Sequence, residues 1–275
     1  MTQAEKAKQF AALHIKGTPL ILFNAWDAGT AKVIQSAGAK AIATSSWSVA
    51  EAQGFRDGEH IPLSFVEQII AGIATTVDLP VTVDFEGGYS EDDAVLAKNV
   101  SRLIDLGVVG INFEDRVVQG DGLYAPERQA QRIAAVRDAA KKQGVDLFIN
   151  ARTDLFFGDG NPKRLAEEAL ERAKLYKDAG ASGLFIPGLT DDGLIKKISD
   201  NAHLPVNVMV MDGLSPAKRL AELGVARISY GPIPYIKAMN ALKDEARASA
   251  AWRSTTLKSA RYTMSQQGEY THVLR

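Results

Sequence analysis

The sequence predicts an α/β fold, a single (β/α)8 barrel of the TIM type with a C-terminal helical extension. Eight short β-branched runs alternate with eight amphipathic segments rich in Ala, Leu, Glu and Lys. The runs read as continuous apolar stretches, as strands of a parallel sheet buried on both faces do. Several helical segments also end alike, in Ser36-Ala37-Gly38-Ala39, Asp105-Leu106-Gly107-Val108, Asp178-Ala179-Gly180-Ala181 and Glu222-Leu223-Gly224-Val225, where Gly supplies a left-handed cap before the next strand.

In chain order, the strand Leu20–Asn24 leads to a helix over Ala28–Ala37, which Gly38 ends, and Ala39–Thr44 leads to Ser64–Val77. Val81–Asp84 precedes Glu91–Leu106, Gly110–Glu114 precedes Pro126–Lys142, and Leu147–Arg152 precedes Pro162–Ala179. Gly183–Ile186 precedes Asp191–Asn201, Val206–Met211 precedes Ser215–Leu223, and Ala226–Tyr230 precedes Ile233–Ala246. Each helix carries apolar residues at helical spacing. A doubly wound sheet would need G-x-G-x-x-G after its first strand, and Asn24-Ala25-Trp26-Asp27-Ala28-Gly29 does not match. No linker interrupts the pattern, so residues 1–246 form one domain. Residues 247–275, with Trp252, Tyr262 and Tyr270, are expected to be an arm packing on a neighbouring subunit.

Composition narrows the function. A chain of 275 residues is long enough for one large barrel, and its 46% hydrophobic and 24% charged residues are ordinary for a globular protein. With 32 basic against 33 acidic side chains it lacks the cationic surplus of a nucleic-acid binder. The absence of cysteine removes disulfides, thiolate metal sites and thiolate nucleophiles. The polar N-terminus has no secretory apolar core and no run approaches a membrane span, so a cytoplasmic protein without a membrane partner is expected.

In a barrel of this kind the site lies at the C-terminal strand ends. Residues two apart on a strand share a face, so Asp84 and Glu86 point together, as do Asn112 with Glu114, and Asn150 with Arg152 and Asp154. Asp84, Glu86 and Glu114 then crowd three carboxylates on neighbouring strands, which a cation or protons must neutralise. All-oxygen ligands favour Mg²⁺, with Mn²⁺ as a substitute, over Zn²⁺. Arg152 is suited to grip a carboxylate bidentately. A structural salt-bridge network of Arg152 with these acids is the competing reading. The four histidines, His14, His60, His203 and His272, are read as surface or loop residues.

These segments resemble the isocitrate lyase and phosphoenolpyruvate mutase superfamily. The resemblance runs through Asn24-Ala25-Trp26-Asp27, Thr44-Ser45-Ser46-Trp47, Gly54-Phe55-Arg56-Asp57-Gly58, Val83-Asp84-Phe85-Glu86-Gly87-Gly88-Tyr89, Asn112-Phe113-Glu114-Asp115 and Asn150-Ala151-Arg152-Thr153-Asp154. It implies a Mg²⁺-dependent barrel acting on C–C or P–C bonds through a pyruvate-type enolate. It assigns Asp84, Glu86 and Glu114 to the metal, Asp57 to a further acidic position, and Ser45, Ser46, Trp47 and Arg152 to substrate. Arg152, Glu114 and Asp57 would carry the reaction, with Asn207 as an outer substrate contact. The resemblance also implies a homo-oligomer, dimer or tetramer, with exchanged C-terminal helices.

The chain departs from the family at the loop after the fourth strand. The isocitrate and methylisocitrate lyases place a catalytic cysteine there, and this chain has Arg116-Val117-Val118-Gln119-Gly120-Asp121-Gly122-Leu123-Tyr124. The phosphonate enzymes' Lys and Asn-Ser are missing too, and Pro187 stands where they carry a histidine. The expected activity is a Mg²⁺-dependent lyase or decarboxylase of a small 2-oxo or 2-hydroxy dicarboxylate. Phosphonopyruvate-type P–C chemistry and a non-catalytic dicarboxylate-binding barrel are the alternatives. The loop reads as a mobile lid, with Asp121 or Tyr124 as a proton donor or no catalytic side chain at all.

Overall fold

The computed structural model describes residues 1–251. Eight βα units follow one another as expected. They run through β1 (Leu20–Leu22), β2 (Asn24–Ala25), α2 (Ala28–Ser36), β3 (Ile42–Thr44), α4 (Leu63–Thr76), β4 (Val81–Asp84), α5 (Asp93–Asp105) and β5 (Gly110–Glu114). They continue through α6 (Pro126–Lys142), β6 (Phe148–Arg152), α7 (Pro162–Asp178), β7 (Gly183–Phe185), α8 (Asp192–Asn201), β8 (Val206–Met209), α9 (Ala217–Glu222), β9 (Arg227–Ser229) and α10 (Ile233–Ala251). All ladders are parallel, in the order β1-β9-β8-β7-β6-β5-β4-β3-β2.

The two ends of that order meet in the first strand, which the structure splits at Phe23. Leu22 pairs with Ser229 on one side and Asn24 with Ala43 on the other, so the ring closes through consecutive residues. The Asn24 side chain makes the break: its Oδ1 accepts the backbone N–H groups of Tyr230 and Gly231 at 3.1 and 2.9 Å. The four glycines expected to cap helices, Gly38, Gly107, Gly180 and Gly224, all have positive φ. At Gly180 a Cβ would also lie 2.8 Å from Arg137.

Two helices were not legible as periodic patterns. The first, α1 (Gln3–Ala12), starts in a capping box between Thr2 and Glu5 and buries Ala7 and Phe10. Phe10 closes the N-terminal end of the barrel, 5.4 Å from Phe148 edge-on, and His14 stacks on Phe148 at 3.9 Å. His14 is therefore buried, which corrects its surface assignment. The second, α3 (Ser46–Ala52), occupies part of the long segment after β3, with Ser45 as its N-cap.

Residues on one face of each strand, such as Val83, Ile111, Phe113, Ile149, Val208 and Ile228, are buried among the core apolar side chains. The other face turns into the barrel and is largely polar: Asn150 donates to Asn112 Oδ1 at 2.9 Å, and Asn207 to Ser229 Oγ at 3.1 Å. The barrel unit comprises Met1–Ile236, and a second unit begins at Lys237. The helix α10 continues through residue 246 to Ala251. Of the expected subunit arm, residues 252–275 lie outside the described residues. No helix among the described residues is long and apolar enough to cross a membrane.

Candidate active site

The C-terminal ends of the strands open into a cavity of about 720 Å³. Its polar wall comes from the units around β3 to β6: Ser45, Ser46, Trp47, Asp57, Asp84, Asn112, Arg152 and Asp154 line it. Asp84 is held by α3, whose Ser46 donates to Asp84 Oδ2 through the backbone N–H at 3.1 Å and the hydroxyl at 3.0 Å. The Thr44 hydroxyl accepts the Asp84 backbone N–H at 3.0 Å. Asp57 stands exposed at the mouth. Protein crowding and then the Asp84 charge push its carboxyl up, tempered by the solvent it faces.

Arg152 is the cation of this wall. Its Nε and Nη2 donate to the two oxygens of Asp154 at 2.6 and 2.9 Å, and Nη1 meets Glu114 at 2.9 Å. Burial opposes the Arg152 charge, but Glu114, Asp154 and Asp84 outweigh it and hold the group above its ordinary range. Those three bonds leave one hydrogen on each terminal nitrogen for a ligand. Asp154 is fixed in turn: its backbone N–H donates to Asp115 Oδ1 at 3.1 Å, and Asp115 is buried against Arg172 at 3.1 Å and the Tyr176 hydroxyl at 2.9 Å.

Glu86 and Glu114 are both buried and lie just behind the cavity wall. Burial, with Asp57, Glu114 and Asp84 adding repulsion, pushes the Glu86 carboxyl up to about 9. Burial also pushes Glu114 up, against the pull of Arg152. Glu86 is clasped by Glu59, a residue next to the Gly54–Gly58 segment that the sequence did not single out. Its Oε2 accepts the Glu59 N–H at 2.9 Å, while Glu59 Oε1 accepts the Tyr89 N–H at 2.8 Å. Glu59, Glu86 and Tyr89 all have φ between 49 and 60, so three side-chain-bearing residues sit in the strained left-handed region at one place.

Among the described residues no group of three or more His, Cys, Asp or Glu side chains is arranged to hold a metal ion. Asp84, Glu86 and Glu114 therefore do not form a ready three-carboxylate cage. The donor chemistry still fits a hard cation. Four acids, Asp57, Asp84, Glu86 and Glu114, face one ion-paired arginine, and three of them are pushed upward. Mg²⁺ needs only one or two direct carboxylates and keeps several waters.

Asn207 does not line the cavity; it is buried in the barrel, bound to Ser229. Trp26 packs on Tyr235 at 5.1 Å instead of lining the cavity. The lid is a small hairpin, with Arg116 bridging Leu123 and the Val117 N–H donating to Gly122 at 3.0 Å. Arg116, Gly122 and Leu123 face the cavity. Neither proton-donor candidate does: Asp121 is exposed, and the Tyr124 ring lies 4.4 Å from the Arg132 guanidinium. The sequence reading also missed Leu155, Phe157, Phe185 and Met209, which line the cavity and carry no polar signature.

Comparison with known proteins bears on the whole barrel. The chain is 47% identical to a phosphonomutase candidate of known structure from Burkholderia cenocepacia, which it matches over 88% of its own length and 99% of that chain with a TM-score of 0.86. An uncharacterised Mycobacterium tuberculosis protein is 34% identical over 87% of this chain and 88% of that protein. The 2-methylisocitrate lyase of Escherichia coli is 28% identical over 87% of this chain and 82% of the enzyme. A phosphonopyruvate hydrolase solved with oxalate and Mg²⁺ shares the fold at 22% identity and a TM-score of 0.79, covering 94% of this chain and 93% of that one. The family model for phosphoenolpyruvate phosphomutase matches residues 10–250, nearly the whole described chain. The barrel and its carboxylate-lined mouth thus belong to a member of the phosphoenolpyruvate phosphomutase family, within the isocitrate lyase and phosphoenolpyruvate mutase superfamily of lyases and mutases.

Proposed function

We propose that the protein is a Mg²⁺-dependent lyase or decarboxylase that cleaves a C–C bond of a small 2-oxo or 2-hydroxy dicarboxylate and leaves a pyruvate-like enolate. The observation that carries this reading is Arg152. It is held bidentately by Asp154, is braced on Glu114, and opens onto the same cavity as Asp84 and Asp57. A guanidinium so fixed binds a substrate carboxylate in one orientation and favours negative charge growing beside it. Asp84, with Glu86 and Glu114 through water, would hold the metal, whose contribution is to polarise the 2-oxygen. Ser46 keeps Asp84 oriented, and Asp57 at the mouth is placed to exchange a proton with substrate or solvent. The oxalate and Mg²⁺ bound by the phosphonopyruvate hydrolase support the choice of ion and head group.

The test is a Mg²⁺-supplemented panel of oxaloacetate, 2-methylisocitrate, substituted malates and phosphonopyruvate, with product detection. Turnover of a carboxylate substrate that is lost in Asp84→Asn and Glu114→Gln is the expected result. Release of phosphate from phosphonopyruvate alone would favour P–C chemistry instead, the reading that the 47% identical phosphonomutase candidate supports. The protein is also proposed to work as a homo-oligomer. Ile21, Phe23 and Val33 are exposed around an apolar groove beside β1, a surface that a second copy would cover. Mass in solution checks this.

A further inference from the structure

Two cations line the cavity, and only one of them is matched. Arg152 is taken up by Asp154 and Glu114. Arg116, at the base of the lid hairpin, is exposed, and no carboxylate lies within ion-pair reach of it among the described residues. Glu59 and Glu91 line a smaller space that Arg116 also borders, and neither pairs with it.

The strand below fixes where Arg116 stands. Side chains alternate along this stretch: Glu114 meets Arg152, Asp115 is buried against Arg172 and Tyr176, and Arg116 returns to the cavity. Glu114 lies opposite Arg152 in the register of β5 with β6, so Arg116 sits two residues, roughly 7 Å of strand, nearer the mouth. Its base is anchored, since the Tyr124 N–H donates to the Asp115 carbonyl at 2.8 Å and Arg172 donates to the Tyr124 carbonyl at 2.9 Å. The lid above it is seated on the barrel: Gln119 donates to the Gly58 carbonyl at 3.4 Å, and a Cβ at Gly87 would lie 2.8 Å from Val118.

A dicarboxylate brings two negative charges into this space. With one on Arg152, the other meets either Leu155, Phe157, Phe185 and Met209, which offer no counter-charge, or Arg116. Asn24 also borders the cavity, but its amide donates to the Thr44 carbonyl at 2.6 Å and its oxygen accepts the Tyr230 and Gly231 N–H groups. We propose that Arg116 is the specificity-determining residue for dicarboxylates: its guanidinium holds the carboxylate that Arg152 does not. This rests on the enolate-site reading above and adds to it a second cation, supplied by the lid.

Amide analogues test it without turnover. The Mg²⁺-supplemented protein is titrated calorimetrically with oxalate, oxamate, N-isobutyloxamate and N-(carboxymethyl)oxamate, the last two matched in shape and differing in the second carboxylate. N-(carboxymethyl)oxamate should bind about tenfold or more tightly than N-isobutyloxamate, and the ratio should shrink as salt is raised. Arg116→Gln should bring the ratio close to one, and Arg116→Lys should hold it between the two, because lysine keeps the charge and loses the fork. A ratio near one in the parent overturns the inference, as does a ratio that survives Arg116→Gln. Failure of both oxalate and oxamate to bind would overturn the enolate-site reading and this inference with it.

Discussion

Arg227 donates through Nη2 to Asn112 Oδ1 at 3.1 Å, from a position inside the barrel where its side chain is almost fully buried. The Asn150 amide donates to the same oxygen at 2.9 Å, which turns the Asn112 nitrogen toward Asp84 Oδ1. Arg227 has no carboxylate within salt-bridge reach among the described residues, and its Nη1 finds no partner there. Burial pushes it down to about 9, with the Asp84 charge opposing. An uncompensated buried cation costs several kcal/mol, so its place beneath the acids is functional in character. Arg227→Met should leave the thermal midpoint unchanged or higher, since the buried charge is gone. It should lower turnover at least fivefold, because Asn112 loses one of the two donors that turn its amide toward Asp84. A fall in stability with unchanged kinetics would refute this.

The grip of Asp154 on Arg152 makes a second expectation. Asp154→Asn keeps the backbone N–H bond to Asp115 but removes the charge that fixes Nε and Nη2. Glu114 remains as a partner, so the fold should survive with a midpoint a few degrees lower. Oxalate affinity in the presence of Mg²⁺ should weaken more than tenfold, read by calorimetry. Unchanged affinity would show that Arg152 does not hold the carboxylate.

The barrel and the polar half of this site were readable because both rest on local rules. Gly38, Gly107, Gly180 and Gly224 announce helix ends by the one conformation they favour, and period-two alternation puts Asp84 and Arg152 toward the mouth, with Glu114 on the same face behind the wall. The apolar wall was not readable, since Phe157, Phe185 and Met209 look like core residues until the ring closes and leaves them facing a cavity. Asn207 failed for a related reason. Alternation correctly turns it inward, but depth along the barrel axis depends on stagger between strands, which places it on Ser229 below the cavity. The helix α3 was hidden because its cap, Ser45, lies inside a run that the resemblance assigned to substrate contact.

The clasp at Glu59 yields a third prediction. Glu59→Gln retains an oxygen for the Tyr89 N–H, whereas Glu59→Ala does not and keeps the left-handed strain. Glu59→Ala should lose about 1 to 3 kcal/mol of stability and weaken Mg²⁺ binding through a loosened Glu86, while Glu59→Gln stays near the parent. Denaturant midpoints and Mg²⁺ titration separate the two; equal behaviour of the variants would show that the side-chain bond is idle.

His14 sets a pH dependence at the opposite end of the barrel. Burial, with the Arg227 charge adding to it, pushes its imidazole down from 6.5 to about 3, so it stays neutral between Phe10 and Phe148. The folded value lies below the unfolded one, and the unfolded chain therefore binds the extra proton as acid is added. This contribution to stability is complete above pH 6.5 and is lost as pH falls from there toward 3, at up to about 1.4 kcal/mol per pH unit. His14→Leu has no such proton to take up. Urea unfolding of both proteins from pH 8 to pH 4.5 should show the parent losing about 2 to 3 kcal/mol more than the variant below pH 6.5. Parallel stability curves would mean that His14 is solvated and titrates freely in the fold.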